Sequence, residues 1–274
     1  MLHCGTINRQ QETGSLHKNE YAGTAMRDTV LFRRKNETKG ESCMHRIFCL
    51  QYAGAGASIY AMWQKYIGDQ AEIVPVQLPG REMRIGEELI SDCDTLVQTI
   101  YQEIEPKLTE DFSIFGHSMG GILAFELAHL IHKKKGIWPK TLFMSATTLD
   151  PEHMPRVEKM DDETLRDYLL ATQGAVRELV DNSEFRRVYF PIIKNDYHLV
   201  EDYYCHKGNI GCPIYAFASK DDTLIPYTKT EKLEHYTNDF HMTYMTGNHF
   251  YVRNLGRQIT GVMTETLAAV RAGA

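Results

Sequence analysis

The chain has 274 residues, 30 Lys and Arg against 36 Asp and Glu, and a formal net charge of −6 at pH 7. That balance offers no basic field for nucleic acid, and no apolar stretch reaches the length of a membrane span or forms a secretory core. Hydrophobic content of 43% and charged content of 24% are ordinary for a globular protein, and the length suits one α/β domain with an inserted subdomain.

Residues 1–43 are polar, as in Gln10-Gln11-Glu12-Thr13-Gly14-Ser15 and Arg33-Arg34-Lys35-Asn36-Glu37, and lack sustained periodicity. They are expected to be a disordered extension. The α/β alternation begins after Met44, and residues 44–274 are expected to form one domain. Arg46–Tyr52 reads as a strand, Ala57–Ile67 as a helix, and Glu72–Leu78 as a strand ended by Pro79-Gly80. Asp92–Ile104 is helical, with Leu96, Ile100 and Ile104 at a spacing of four. Phe112–Phe115 is a strand, and Ile122–His132 a helix. Lys133-Lys134-Lys135-Gly136 closes that helix, with cations at the negative end of its dipole and a glycine cap.

Thr141–Ser145, Pro213–Phe217 and His241–Met245 read as further strands, and Leu255–Arg271 as a closing helix. Asp150–Asn209 interrupts the alternation with helical pieces at Asp161–Leu170, Ala175–Val180 and Glu184–Asn195. This insertion, about 150–209, is expected to be a helical lid over the C-terminal ends of the strands, where α/β sheets bind ligands. The expected architecture is a mostly parallel sheet with helices on both faces.

Cys4, Cys43, Cys49, Cys93, Cys205 and Cys212 are scattered, without a C-x-x-C pair or zinc spacing. Cys49 and Cys212 read as small buried residues. His129 and His132 share a helix without matching ligands elsewhere, so they read as packing or surface residues. A reduced, cytoplasmic setting is expected, with no metal.

Phe115-Gly116-His117-Ser118-Met119-Gly120-Gly121 carries the chemistry. A G-x-S-x-G between a strand and a helix is the pattern of a nucleophile elbow, and it implies an α/β-hydrolase fold. Gly116 and Gly120 allow the sharp turn, Ser118 stands at its tip, and the Met119 N–H faces the same space. A serine hydroxyl needs a base and an acid to orient that base, in the chain order Ser, Asp or Glu, His. The turn Lys220-Asp221-Asp222-Thr223-Leu224-Ile225-Pro226 offers two acids. Asp222 is better placed by the pattern Asp-x-apolar-apolar-Pro, and Asp221 is held in reserve. His249 follows the final strand, with Gly247 to turn the loop back. His117 sits too close along the backbone to serve Ser118 and is assigned to packing. The second oxyanion donor is expected from Gln51-Tyr52-Ala53-Gly54-Ala55-Gly56-Ala57-Ser58, through the N–H of Ala53. That loop lacks both G-x-G-x-x-G and a P-loop lysine.

With these pieces assembled, residues 45–270 resemble the type II thioesterases that serve non-ribosomal peptide and polyketide assembly lines. The likeness lies in Phe48–Ser58, in Val76-Gln77-Leu78-Pro79-Gly80-Arg81-Glu82, in the elbow, in Lys194-Asn195-Asp196-Tyr197 with Glu201 and Tyr203, and in Gly247-Asn248-His249-Phe250. It implies Ser118, Asp222 and His249 as triad and Ala53 with Met119 as oxyanion donors. It further implies editing hydrolysis of acyl thioesters on carrier proteins, which supply the phosphopantetheine arm, so that the enzyme needs no cofactor of its own. It is expected to act as a monomer. Arg81 and Arg84 are assigned to structure. Gln51, Asn248, the Ser219-Lys220 turn and Ala146-Thr147-Thr148 depart from the family pattern. The alternatives are an acyltransferase moving acyl groups between carriers, which normally has Glu after the elbow where Gly121 stands, a general serine esterase, and a non-catalytic carrier-binding protein.

Overall fold

A computed structural model describes residues 44–150, 156–172, 177–201 and 203–272. The 1–43 extension lies outside them. Six strands form one sheet: β1 (Arg46–Leu50), β2 (Glu72–Pro75), β3 (Phe112–His117), β4 (Leu142–Ser145), β5 (Ile214–Ser219) and β6 (Phe240–Met245). Their order is β2-β1-β3-β4-β5-β6, and every neighbouring pair is parallel. The chain leaves β1 toward β2 on one side and returns to β3 on the other. That reversal makes the C-terminal ends of β1 and β3 a switch point, where such sheets open a crevice.

β1, β3, β4 and β5 are almost wholly buried, as apolar runs covered on both faces should be, whereas edge strand β6 is half exposed. Helices α2 (Cys93–Ile104) and α3 (Met119–Lys135) build the core on one face, and α1 (Trp63–Ile67) and α8 (Gly256–Ala272) build it on the other. Asp92 caps α2 by accepting from Thr95 N–H at 2.7 Å. α3 is buried on nearly every side over its first ten residues and ends at Gly136 in the left-handed region.

Several boundaries differ from the sequence expectation. Residues 57–67 do not form one helix: a 3₁₀ turn at Ala57–Tyr60 precedes α1. Tyr60 and Trp63 both pack on Phe115, and the Tyr60 hydroxyl reaches the Leu50 carbonyl at 2.7 Å, so packing breaks the helical run. β2 stops at Pro75 because the chain peels away into the 77–84 loop, where Gly80 N–H bonds Arg84 O and Arg84 Nη1 bonds Gln77 O. β3 runs two residues further than expected, and α3 starts at Met119, directly after the turn.

The insertion between β4 and β5 contains α4 (Asp162–Thr172), α5 (Arg177–Val180) and α6 (Ser183–Glu201). α6 passes Pro191 and extends beyond the expected end at Asn195. Phe190, Ile193, Tyr197 and Val200 are buried at spacings of three and four, and this continuous apolar stripe outweighs the one lost backbone hydrogen bond. Phe190, Ile193 and Tyr197 join Val157, Leu165, Leu169 and Val180 in a small core of the insertion, while Leu199 and Val200 bind it to the main core. A short helix, α7 (Tyr227–Glu231), follows the 220–226 turn and was not foreseen. Cys49 and Cys212 are buried, and His129 and His132 pack on Trp138. Among the described residues no helix is long and apolar enough to cross a membrane.

Candidate active site

Ser118 sits between β3 and α3 at φ 55° and ψ −119°, a backbone conformation that a non-glycine residue holds only under constraint. The constraint is steric on both sides. A Cβ on Gly116 would lie 2.0 Å from the Gly120 carbonyl oxygen, and one on Gly120 would lie 2.2 Å from that of Leu50. Ser118 N–H donates to Ser145 O, and Thr147 Oγ1 donates to Ser118 O, each at 2.8 Å. Thr147, a departure from the family pattern, thus helps to hold the elbow.

β5 and β6 deliver the partners. His249 Nδ1 lies 2.8 Å from Asp222 Oδ2, and His249 Nε2 lies 2.9 Å from Ser118 Oγ. A carboxylate accepts, so the network assigns the imidazole proton to Nδ1 and leaves Nε2 to accept from the serine hydroxyl. Asp222 Oδ1 accepts from the N–H groups of Leu224 and Ile225, each at 2.9 Å. The side chains are 0% exposed for Asp222 and 6% for His249. Asp221 faces elsewhere and accepts from Gly247 N–H at 3.3 Å. Ser219 donates to the Gly247 carbonyl, so this turn ties the loop that carries His249. Gly247 has φ 95°, the left-handed turn the sequence suggested.

His117 does more than pack. Its Nε2 donates to the His249 carbonyl at 2.9 Å, which leaves Nδ1 to accept from Ser145 Oγ at 2.9 Å, and Ser145 Oγ lies 2.7 Å from the Tyr251 hydroxyl. Burial, reinforced by the nearby His249, holds His117 well below the ordinary histidine pKa, which keeps this neutral tautomer in place. His117 therefore holds the backbone of His249. Its presence in the elbow motif was visible in the sequence, but its partner, 132 residues away, was not.

A cavity of about 40 Å³ opens on Ser118 and His249, with Ala53 and Met119 on one side and Tyr168, Tyr197 and Val200 of the insertion on the other. A smaller cavity of about 20 Å³ shares Ser118, Met119, Val200 and Ile225 with it. Met119 N–H belongs to the first turn of α3, where amides lack an intrahelical acceptor. Both candidate oxyanion donors thus border the space beside the serine. Arg84 pairs with Glu87 and Glu103 at the surface, whereas Arg81 is buried and pairs with Asp196 of α6. Asp196 was visible only as part of a family-like stretch, with no role attached.

The Thioesterase domain family matches residues 45–268. The chain belongs to that family. Gramicidin S biosynthesis protein GrsT of Aneurinibacillus migulanus is 30% identical over 236 residues, which are 83% of this chain and 90% of that protein. ClbQ, from the colibactin NRPS/PKS pathway, has a similar structure, with a TM-score of 0.79 at 28% identity over 84% of this chain and 100% of that one. The type II thioesterase BorB from the borrelidin biosynthetic cluster gives 0.74 at 28% identity over 83% and 94%. The thioesterase fold here is that of an α/β-hydrolase, with Ser118, Asp222 and His249 gathered at one rim of its sheet.

Proposed function

We propose that this thioesterase is of type II and hydrolyses acyl groups from the phosphopantetheine thiol of carrier proteins in non-ribosomal peptide or polyketide synthesis. The observation that carries the reading is the continuous relay from Asp222 through His249 to Ser118 on the floor of a cavity roofed by the insertion. The likeness to GrsT, ClbQ and BorB supports the assembly-line setting. The insertion then serves as a lid.

In this mechanism Ser118 Oγ attacks the thioester carbonyl while His249 Nε2 takes the hydroxyl proton. Asp222 holds the imidazole and balances the imidazolium. The carbonyl oxygen, now negative, accepts from the N–H groups of Ala53 and Met119. Collapse breaks the carbon–sulfur bond, and His249 returns its proton to the leaving thiolate. Water, deprotonated by His249, then attacks the acyl-serine, and the acid leaves with Ser118 restored. The chemistry needs no bound cofactor, because the pantetheine arm arrives with the carrier.

Mass spectrometry of acyl-loaded carriers in H₂¹⁸O tests this. The expected result is free holo-carrier and acid carrying one solvent oxygen, with Ser118→Ala inactive. Equal turnover by Ser118→Ala would refute the role of the serine. Acyl transfer to a second carrier, without label in an acid, would favour the acyltransferase alternative.

A further inference from the structure

The stretches Val76–Glu82 and Lys194–Tyr197 carry much of the family likeness yet contribute nothing to the triad. The fold joins them at one point. Asp196 of α6 is fully buried, and Arg81 nearly so. Arg81 Nη1 lies 2.5 Å from Asp196 Oδ2, and Nη2 lies 2.7 Å from Oδ1, a two-pronged pairing. The same Oδ2 accepts from Gly54 N–H at 2.7 Å, and Arg81 Nη1 also donates to the Ala55 carbonyl at 3.3 Å. The ion pair therefore grips the backbone immediately after Ala53.

Two further contacts locate that loop. Gly54 has φ 80°, and a Cβ there would lie 2.7 Å from Ile193 Cγ1, so α6 rests on the Gly54 backbone. Ala53 itself packs against the insertion core that contains Ile193 and Tyr197. On the other side, Glu82 accepts from Ser58 N–H at 3.2 Å and from the Ser58 hydroxyl. The 53–58 loop is thus held between α6 and the 81–82 turn. Each peptide unit is rigid, so once the Ala53–Gly54 plane is fixed only φ and ψ of Ala53 separate it from the Ala53 N–H.

A buried ion pair is weak evidence for stability, because well-packed apolar residues often replace it without loss. Here the pair has a geometric use. We propose that Asp196 is a positioning residue for hydrolysis: with Arg81 it sets the Ala53 side of the oxyanion site, and it does so only while α6 is seated on Gly54. Seating of the insertion and completion of the oxyanion site are then one event. This inference rests on the serine-hydrolase reading above but not on the identity of the acyl donor, so it is tested on a small p-nitrophenyl ester.

The full chain is compared with Asp196→Leu, Asp196→Asn and the double variant Arg81→Met/Asp196→Leu. Asp196→Leu is expected to lower kcat about 10- to 100-fold, as partial loss of an oxyanion donor would, with KM within about threefold. Asp196→Asn keeps an acceptor for Gly54 and is expected to fall between that variant and the wild type. An alkylboronic acid, which binds the serine as a tetrahedral anion, should lose affinity by the same factor as kcat, while the product acid should not. The double variant leaves no lone buried charge. Its melting temperature should return toward the wild-type value, while kcat and boronate affinity stay low.

If the double variant regains kcat together with its melting temperature, the pair is only scaffold and the proposal is overturned. It is overturned as well if boronate and product affinities fall in step. Should Asp196→Leu fail to fold, the double variant carries the test. Undiminished ester turnover by Ser118→Ala would remove the serine-hydrolase reading and this inference with it, whereas the double variant can overturn this inference alone.

Discussion

At the scale of single residues, the site gives different partners to two neighbouring acids that the sequence ranks by a short pattern alone. Asp221 and Asp222 share one turn, yet only Asp222 reaches His249, while Asp221 braces Gly247. Asp222→Asn is expected to cut kcat by about 10³–10⁴, because the amide favours the wrong imidazole tautomer and no longer balances its charge. Asp221→Asn should cost less than about tenfold, since it weakens one long hydrogen bond to the backbone. Steady-state kinetics on a single ester checks both, and a larger loss at Asp221 would reverse the assignment. Ser118 was legible because the reason for its flanking glycines is local: their Cβ atoms would strike backbone within a few residues or on the adjoining strand. The supporting role of His117 was not legible, because its value lies in a carbonyl delivered by another strand.

At the scale of elements, α6 decides the shape of the acyl space. The cavity beside Ser118 is bordered by Tyr168, Tyr197 and Val200 of the insertion, so these side chains help to set the room an acyl chain finds. Val200 borders both this cavity and the smaller one that shares Ser118. Val200→Ala is expected to merge them and to shift the ratio of kcat/KM for longer over shorter acyl chains by about tenfold, within the range that pocket methylenes command. The cost in stability should be about 2 kcal/mol, from the lost burial and the space left behind. A chain-length series of acyl thioesters reads the first effect, and urea unfolding reads the second. An unchanged chain-length profile would remove Val200 as a determinant. The extent of α6 was partly legible: the sequence reading carried the helix past Pro191, and the stripe Phe190, Ile193, Tyr197 and Val200 is present in the sequence, but the polar run Lys194-Asn195-Asp196 obscured its continuation to Glu201.

At the scale of the whole molecule, buried histidines make the fold sensitive to acid. Burial, then the proximity of His249, lowers the pKa of His117. Burial also lowers that of His45, against the opposing pull of Asp111. A group whose pKa is lower folded than unfolded binds more protons when unfolded. Its stabilising contribution is full above the unfolded value near 6.5 and is lost as pH falls through that value toward the folded one. Unfolding free energy should therefore drop below pH 6.5, by up to about 1.4 kcal/mol per pH unit for each such histidine. Protonation would reverse the hydrogen bond between His117 and Ser145, with Nδ1 donating to Ser145 Oγ. Urea titrations between pH 7.5 and 5 check this, with His117→Gln expected to flatten the slope. An identical slope in that variant would show that other groups carry the acid sensitivity.

Periodicity, glycine placement and short motifs identified the alternating strands and helices, the elbow, the loop after β1 and the histidine loop, because each depends on residues close together in the chain. The meeting of Ser118 with His249 spans 131 residues, and that of His249 with Asp222 spans 27. The contact of Asp222 with His249, the grip of His117 on His249 and the joining of Arg81, Asp196 and Gly54 came only from the folded molecule. Strand order and register decide which loop ends meet at the rim of the sheet, and no local pattern encodes a distance between residues that far apart.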